Sequence, residues 1–409
     1  MTVGWEEAFS RVSEVLASTP GNQIKAVVGP LVEAESMIAL KDLFNRLGSS
    51  NLFFEGDSGV PSHGVDFRSN YLLNTGIANL EHADAVLLIG TNPRTEAPLI
   101  NARLRKGYVH RGLNLGLIGS PVKLTAEYAH LGDSSQALAD FIKGSGNAAF
   151  TKLWKDAKRP VVIVGSDVTS RPDADFIFAA LNDLAKAHPK LVSEDWNGIS
   201  VLHRTAARAA ALDMGFVPGV NASAQAPTVL YLLGADDVRA KDIPKGAFVI
   251  YQGHHGDVGA HFADVILPGA AYTEKSGTYV NTEGRVQLTR PVVSPPGNAR
   301  EDWKIVRALS EVLGFPLPYE SLRDVRERLG QVAPHLADAD SREKPMYTSL
   351  GLAALAAAHK GAKPSSAPFV PAIKDYYLSD PISRASQTMA KCSTTFTKSG
   401  KDTAQAASA

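Results

Sequence analysis

Short apolar runs, each closed by glycine and followed by residues at helical spacing, recur along the chain. Lys25-Ala26-Val27-Val28-Gly29 leads into a helix over about 32–47, with Gly48 placed as its stop. Ala85-Val86-Leu87-Leu88-Ile89-Gly90 passes through a turn into a helix carrying Glu96, Ile100 and Leu104 on one face, and Asn114 to Gly119 makes a third strand. The pattern then returns. Pro160 to Gly165 precedes a helix from Asp173 to His188, and Thr228 to Gly234 and Ala247 to Gly253 match the strands closed by Gly90 and Gly119. Strands alternating with helices predict parallel sheets with helices on both faces. The repetition predicts two similar doubly wound α/β halves.

Four segments follow from this pattern: a lead-in helix over 1–20, a first half over 21–145, a second over 146–315, and an irregular tail over 316–409. Beyond Pro291 a Pro- and Ser-containing linker gives way to a helix from about Arg300 to Leu313, with Trp303, Val306 and Leu309 on one face. In the tail, Phe369, Ile373, Tyr376, Tyr377, Leu378 and Ile382 are too sparse for a separate core. Ordering each residue costs ~1–2 kcal/mol of backbone entropy. The tail is therefore expected to dock on a partner or wrap back over the halves, with its last dozen residues disordered. Residues 341–409 hold nine Lys or Arg against four Asp or Glu, which suits an acidic neighbour, with Arg384 and Lys391 the expected contacts.

Composition narrows the function classes. Lys plus Arg and Asp plus Glu both number 42, which gives no electrostatic case for nucleic acid. The one cysteine, Cys392, excludes a disulfide scaffold and any iron–sulfur cluster ligated by this chain alone. No apolar run approaches the ~20 residues of a membrane helix. The start, MTVGWEEAFSRVSEVL, is acidic and amphipathic, unlike a presequence, so either none exists or it is not in this chain.

The richest candidate for chemistry is Phe262 to Gln287. A strand, Asp264 to Leu267, stops at Pro268-Gly269, and a long polar stretch follows with Glu274, Lys275, Asn281, Glu283 and Arg285. A polar loop leaving a buried strand is where α/β folds hold ligands. The turn Gly90-Thr91-Asn92-Pro93 offers a strand-to-helix geometry suited to phosphate, and equally reads as a proline-initiated cap. Other motifs read more plainly. Gly56-Asp57-Ser58-Gly59 looks like a protease nucleophile loop, but the first histidine, His63, follows the serine, against the order of that triad. Gly144 to Ala149 fits G-x-G-x-x-A yet follows a helix instead of a strand, so it reads as a cap and linker. His254, His255, Asp257 and His261 are the one plausible metal cluster, and a polar loop over strand ends is the preferred reading. No metal is expected.

The wording ADVILPGAAYTEKSGTYVNTEGRVQ resembles the signature loop of the molybdopterin oxidoreductase superfamily, in the variant found in the 75 kDa subunit family of respiratory complex I. Asn70 to Gly107, Gly132 to Ile142 and Asp380 to Cys392 are similar to that family as well. The resemblance implies a structural, accessory role in the complex I matrix arm. That arm lies on the matrix side of the mitochondrial inner membrane, or on the cytoplasmic face of a bacterial plasma membrane, and membrane association would come only through the complex. Partners would be other matrix-arm subunits, including an iron–sulfur chain. The family's cysteine-rich ferredoxin-like region has no counterpart here, so iron–sulfur clusters are expected in a missing N-terminal part or a partner chain. The alternative reading is a working molybdopterin module similar to formate dehydrogenase. Such enzymes offer the metal a Cys, selenocysteine, Ser or Asp. Between Asn51 and Asn79 only Ser58, Asp66 and Ser69 qualify. The complex I family carries no molybdenum in this domain, which implies that no cofactor is bound. Thr91, Asn92, Pro93, Glu274, Lys275, Asn281, Glu283 and Arg285 are then vestigial pterin loops, expected to bond to one another or to backbone across the gap between the halves. A free-standing nucleotide-binding domain would need an intact phosphate fingerprint, which the chain lacks.

Overall fold

The computed structural model describes residues 1–56, 61–169, 171–217 and 225–398. Its strands, in chain order, are β1 Ile24–Val28, β2 Leu52–Phe54, β3 Ala85–Ile89, β4 Asn114–Ile118, β5 Ala129–Gly132, β6 Pro160–Val164, β7 Ile199–Val201, β8 Val229–Leu233, β9 Phe248–Gly253, β10 Val265–Pro268, β11 Thr278–Val280 and β12 Val286–Leu288. Two five-stranded sheets form, in the orders β10-β9-β8-β1-β2 and β5-β4-β3-β6-β7. All pairings within both are parallel. The expected α/β class with parallel sheets is what the chain adopts.

The two sheets have the same plan, with β8 and β3 at their centres. Strands closed by Gly234 and Gly90 are thus equivalent, as are those closed by Gly29 and Gly165, and by Gly253 and Gly119. The backbone repeats in detail: Gly29 N–H donates to Leu233 O (2.8 Å) and Gly165 N–H to Ile89 O (2.9 Å). A Cβ on Gly29 would overlap the Gly234 carbonyl, and one on Gly165 the Gly90 carbonyl. Only glycine lets the chain pass that close.

The repeats are not the folded units. β1 and β2 come from the first repeat but join β8, β9 and β10 of the second, while β6 and β7 join β3, β4 and β5. The division at 145/146 therefore cuts across both sheets: the sheet holding β3 to β7 is an insertion between β2 and β8. Periodicity reveals which segments are strands. It does not reveal which strands pair, because every one of these central strands is apolar on both sides.

Each sheet is covered on both faces. Along β1 and β8, Ile24, Ala26, Val28, Val229, Tyr231 and Leu233 face one core, and Val27, Leu230 and Leu232 the other. The first core takes the lead-in helix Trp5–Ser18 through Ala8, Val12 and Leu16, and the helices Ala34–Arg46 and Asp302–Val312. In the inserted sheet, Leu87 and Ile89 face the helix Ala174–Ala187, and Val86 and Leu88 face Ile100 and Leu104 of the helix Pro98–Arg111.

The tail is less irregular than its composition suggests. Helix Leu322–Val332, opened by a capping box at Ser321 and Asp324, buries Val325 and Leu329 in the main core. Helix Thr348–Ala358 sets Leu352 and Leu355 into the inserted sheet's core, beside Phe369. This part wraps back over both sheets, the second of the two expected fates. The expected disorder falls on residues of which all but Lys398 lie outside the described ones. Among the described residues, no helix is long and apolar enough to cross a membrane.

Candidate functional site

The carboxyl ends of β1, β8 and β9 meet where α/β sheets ordinarily take ligands. Here Leu31, Val32, Gly234, Gly253, His254, Lys275, Asp302 and Pro381 enclose a cavity of only about 10 Å³. Lys275 fills the place. Its ammonium lies 2.6 Å from Glu33 and in contact with Asp302, with all three side chains at most 5% exposed. Burial pulls the ammonium's pKa down, but Asp302 and then Glu33 outweigh burial and hold it above its ordinary value. Burial also raises the Glu33 carboxyl against the pull of Lys275. One cation between two carboxylates leaves a net negative charge, so the raised carboxyl is physically consistent.

The network extends outward. Asp302 accepts from Gln252 Nε2 (2.9 Å), and Gln252 Oε1 accepts from Tyr231 (2.5 Å). Fully buried Glu35 accepts from the Thr278 backbone and hydroxyl (both 2.7 Å) and from Arg326 (2.8 Å). Tyr279 donates to Leu31 O (2.8 Å). His254 is lowered to about 4 by burial and then by Lys275, so it is neutral near pH 7.

The polar stretch after Gly269 contains structure that its composition concealed: β11 and β12 form an antiparallel hairpin. Its turn is built by Asn281, whose side chain accepts from Glu283 N–H (3.1 Å) and Arg285 N–H (2.9 Å). Glu283 reaches the inserted part, accepting from Ile77 N–H (2.9 Å), and pairs with Arg285 (3.3 Å). Arg285 also donates to Asp340 O (2.6 Å), whereas Glu274 closes locally on Ala271 N–H (2.9 Å).

Thr91, Asn92 and Pro93 belong to the other sheet. Thr91 donates to Glu96 (2.6 Å), Asn92 caps the four-residue helix Pro93–Glu96 through Arg94 N–H (3.2 Å), and Pro93 is its first residue. The two groups of expected site residues thus lie at the ends of different sheets. Glu96 also accepts from Ser166 N–H (2.7 Å), and burial raises it to about 7 against those two bonds.

The remaining candidates scatter. Asp66 is exposed, Ser69 is buried with a hydroxyl lacking a partner among the described residues, and Ser58 lies outside them. The imidazoles of His254 and His255 touch through Nδ1 atoms (2.6 Å), and no group of three potential ligands converges among the described residues. Asp257 is taken by Arg384, which also meets Asp237 (2.9 Å). Arg384 was expected to contact an acidic partner; its acidic neighbours belong to its own chain, because the tail folds over the end of β9. Lys391 is exposed.

Sequence reasoning missed Glu33, Glu35, Asp302 and Arg326. Each acid sits at a helix start, where a carboxylate usually marks a solvated end interacting with the helix dipole. No local signal separates that case from burial.

Residues 1–312 match the molybdopterin oxidoreductase family, and residues 342–392 match a family of C-terminal regions from an NADH-ubiquinone oxidoreductase polypeptide. Over 97% of its length the chain is 48% identical to the mitochondrial 78 kDa subunit of NADH-ubiquinone oxidoreductase from Candida albicans, covering 55% of it. Over 96% it is 45% identical to the mitochondrial iron-sulfur protein 1 of NADH dehydrogenase (ubiquinone) from Solanum tuberosum, covering 52%. The chain spans about half the length of the curated relatives it matches. In fold it is similar to a chain of the formyltransferase/hydrolase complex of Methylorubrum extorquens, with a TM-score of 0.54, 16% identity, and coverage of 76% of this chain and 96% of that one. Two pseudo-equivalent parallel sheets and a family match over residues 1–312 lead to one conclusion: this chain belongs to the molybdopterin oxidoreductase family.

Proposed function

We propose that the chain is a structural part of the 75–78 kDa subunit of respiratory complex I, holding neighbouring electron-carrying polypeptides in the matrix arm without cofactor chemistry of its own. Sequence likeness over nearly the whole chain to two relatives named as mitochondrial NADH dehydrogenase proteins supports the assembly. The observation that carries the non-catalytic reading is the filled crevice of the main sheet. A pterin cofactor does not suit these residues: a space of about 10 Å³ holds about one water, and the one lysine there is committed to Glu33 and Asp302. Expelling that lysine would strand two buried carboxylates. Iron–sulfur clusters of the assembly then belong to polypeptide outside this chain, and the subunit sits on the matrix side of the mitochondrial inner membrane. Metal analysis with pterin extraction on the purified assembly tests this reading. The expected result is co-purification with iron–sulfur subunits and no molybdenum or tungsten; stoichiometric molybdenum or tungsten with a pterin assigned to this chain would overturn it.

A further inference from the structure

At the carboxyl ends of β3, β4 and β6, the place a ligand would take in the inserted sheet is occupied by the chain's own residues 365–372. The contacts resemble those of a peptide held in a receptor. Phe369 is 3% exposed, and its ring lies against Gly90, where a Cβ would collide with it. Its N–H donates to Asp133 O (2.7 Å) and its carbonyl accepts from Ser120 Oγ (2.7 Å). Arg171 donates to the carbonyls of Pro368 (2.8 Å) and Ala367 (2.9 Å) while its guanidinium lies 4.3 Å from the Phe369 ring centroid. Asp167 accepts from Ala372 N–H (2.7 Å), and Ser135 Oγ from Ser365 N–H (2.7 Å).

This is main-chain reading with one side-chain anchor. Neighbouring Val370 is 68% exposed, so the cleft selects a single aromatic and otherwise grips backbone. Pro368 and Pro371 flank that aromatic; proline fixes φ and lowers the entropy lost on binding an extended segment. Arg171, Ser120, Ser135 and Asp167 are widely spaced in sequence relative to the segment they hold, so local chain geometry does not impose these bonds.

We propose that the strand-end cleft of the inserted sheet is a peptide-binding site for an extended, proline-flanked aromatic segment, filled in cis by residues 365–372. The tail thereby stands where a small-molecule ligand would lie in this fold. The inference rests on contacts within the chain and is independent of membership in a respiratory assembly.

The test uses the full-length chain and a fluorescent synthetic peptide with the sequence of residues 362–376. In the wild type the tethered segment competes at an effective concentration in the ~mM range, so added peptide does not bind. In Phe369→Ala the anchor is gone, and the peptide is expected to bind saturably; the same peptide carrying alanine for phenylalanine is not. Binding to neither chain, or equal binding to both, overturns the proposal. Hydrogen exchange supplies a readout that needs no risky variant. The wild-type amides of Phe369 and Ala372 should be protected, and Ser120→Ala should speed exchange across 367–372 by about tenfold or more while leaving 230–233 unchanged. Unprotected wild-type amides, or an unchanged rate in Ser120→Ala, would refute it.

Discussion

Replacing Lys275 by methionine tests the reading of the filled crevice most directly. Methionine roughly keeps the volume but removes the cation from between Glu33 and Asp302, whose side chains are 1% and 5% exposed. Breaking a buried ion pair by deleting one partner costs about 3–5 kcal/mol, because the remaining charge stays desolvated. The cost should depend on pH with a definite sign. In the wild type, burial raises the Glu33 carboxyl, Lys275 lowers it, and Asp302 raises it. Without Lys275 the lowering contribution vanishes, so the folded-state pKa rises further. A carboxyl raised above its unfolded value, about 4.3, gives stability that is full below that value and lost as pH climbs through the folded pKa. The penalty should therefore grow from about pH 5 to about pH 8. Equilibrium urea unfolding followed by fluorescence and by exchange of the β8 and β9 amides would measure it, because Trp303 is buried next to Asp302. With a slope of about 3 kcal/mol/M, the midpoint at about pH 8 should fall by about 1 M or more. The triple variant Lys275→Met, Glu33→Gln, Asp302→Asn should recover most of that loss, since no charge is left stranded. A loss under about 1 kcal/mol at pH 8, or equal losses at pH 5 and 8, would refute the reasoning.

Gly29→Ala and Gly165→Ala should each cost about 3 kcal/mol or more, since backbone at Gly234 and Gly90 blocks the new Cβ; near-wild-type urea midpoints would contradict the equivalence of the two sheets. Glu96 is raised to about 7, so its contribution to stability falls as pH rises from about 4 to above 7; relative to Glu96→Gln, the wild type should lose up to about 3 kcal/mol over that window, and a flat difference would count against it. Arg68→Ala strands Asp213, whose side chain is 0% exposed and accepts from Arg68 (2.7 and 2.9 Å) and Tyr71 (2.7 Å). Burial raises the Asp213 carboxyl, but His335 and Arg68 outweigh it and hold it below its ordinary range. The loss, about 3–5 kcal/mol by thermal or urea unfolding, should be full near neutral pH and shrink as pH falls below about 4.

Local sequence determined the strands, the closing glycines and the repetition, because a buried parallel strand is written as an apolar run and a tight exit as glycine. The signature loop and the family were legible for the same reason: they are continuous stretches of residues. The lead-in helix was legible too, in the spacing of Ala8, Val12 and Leu16. Tertiary structure alone decided that β1 pairs with β8 and β6 with β3, since strands apolar on both faces carry no mark of their partner. It decided that Glu33 and Asp302 turn inward to hold Lys275, because acids at helix starts read alike whether solvated or buried. It also decided the tail's fate. Phe369 and Arg384 are sparse anchors in the sequence, and they acquire partners only once Gly90, Arg171, Asp237 and Asp257, distant along the chain, have been assembled at the strand ends.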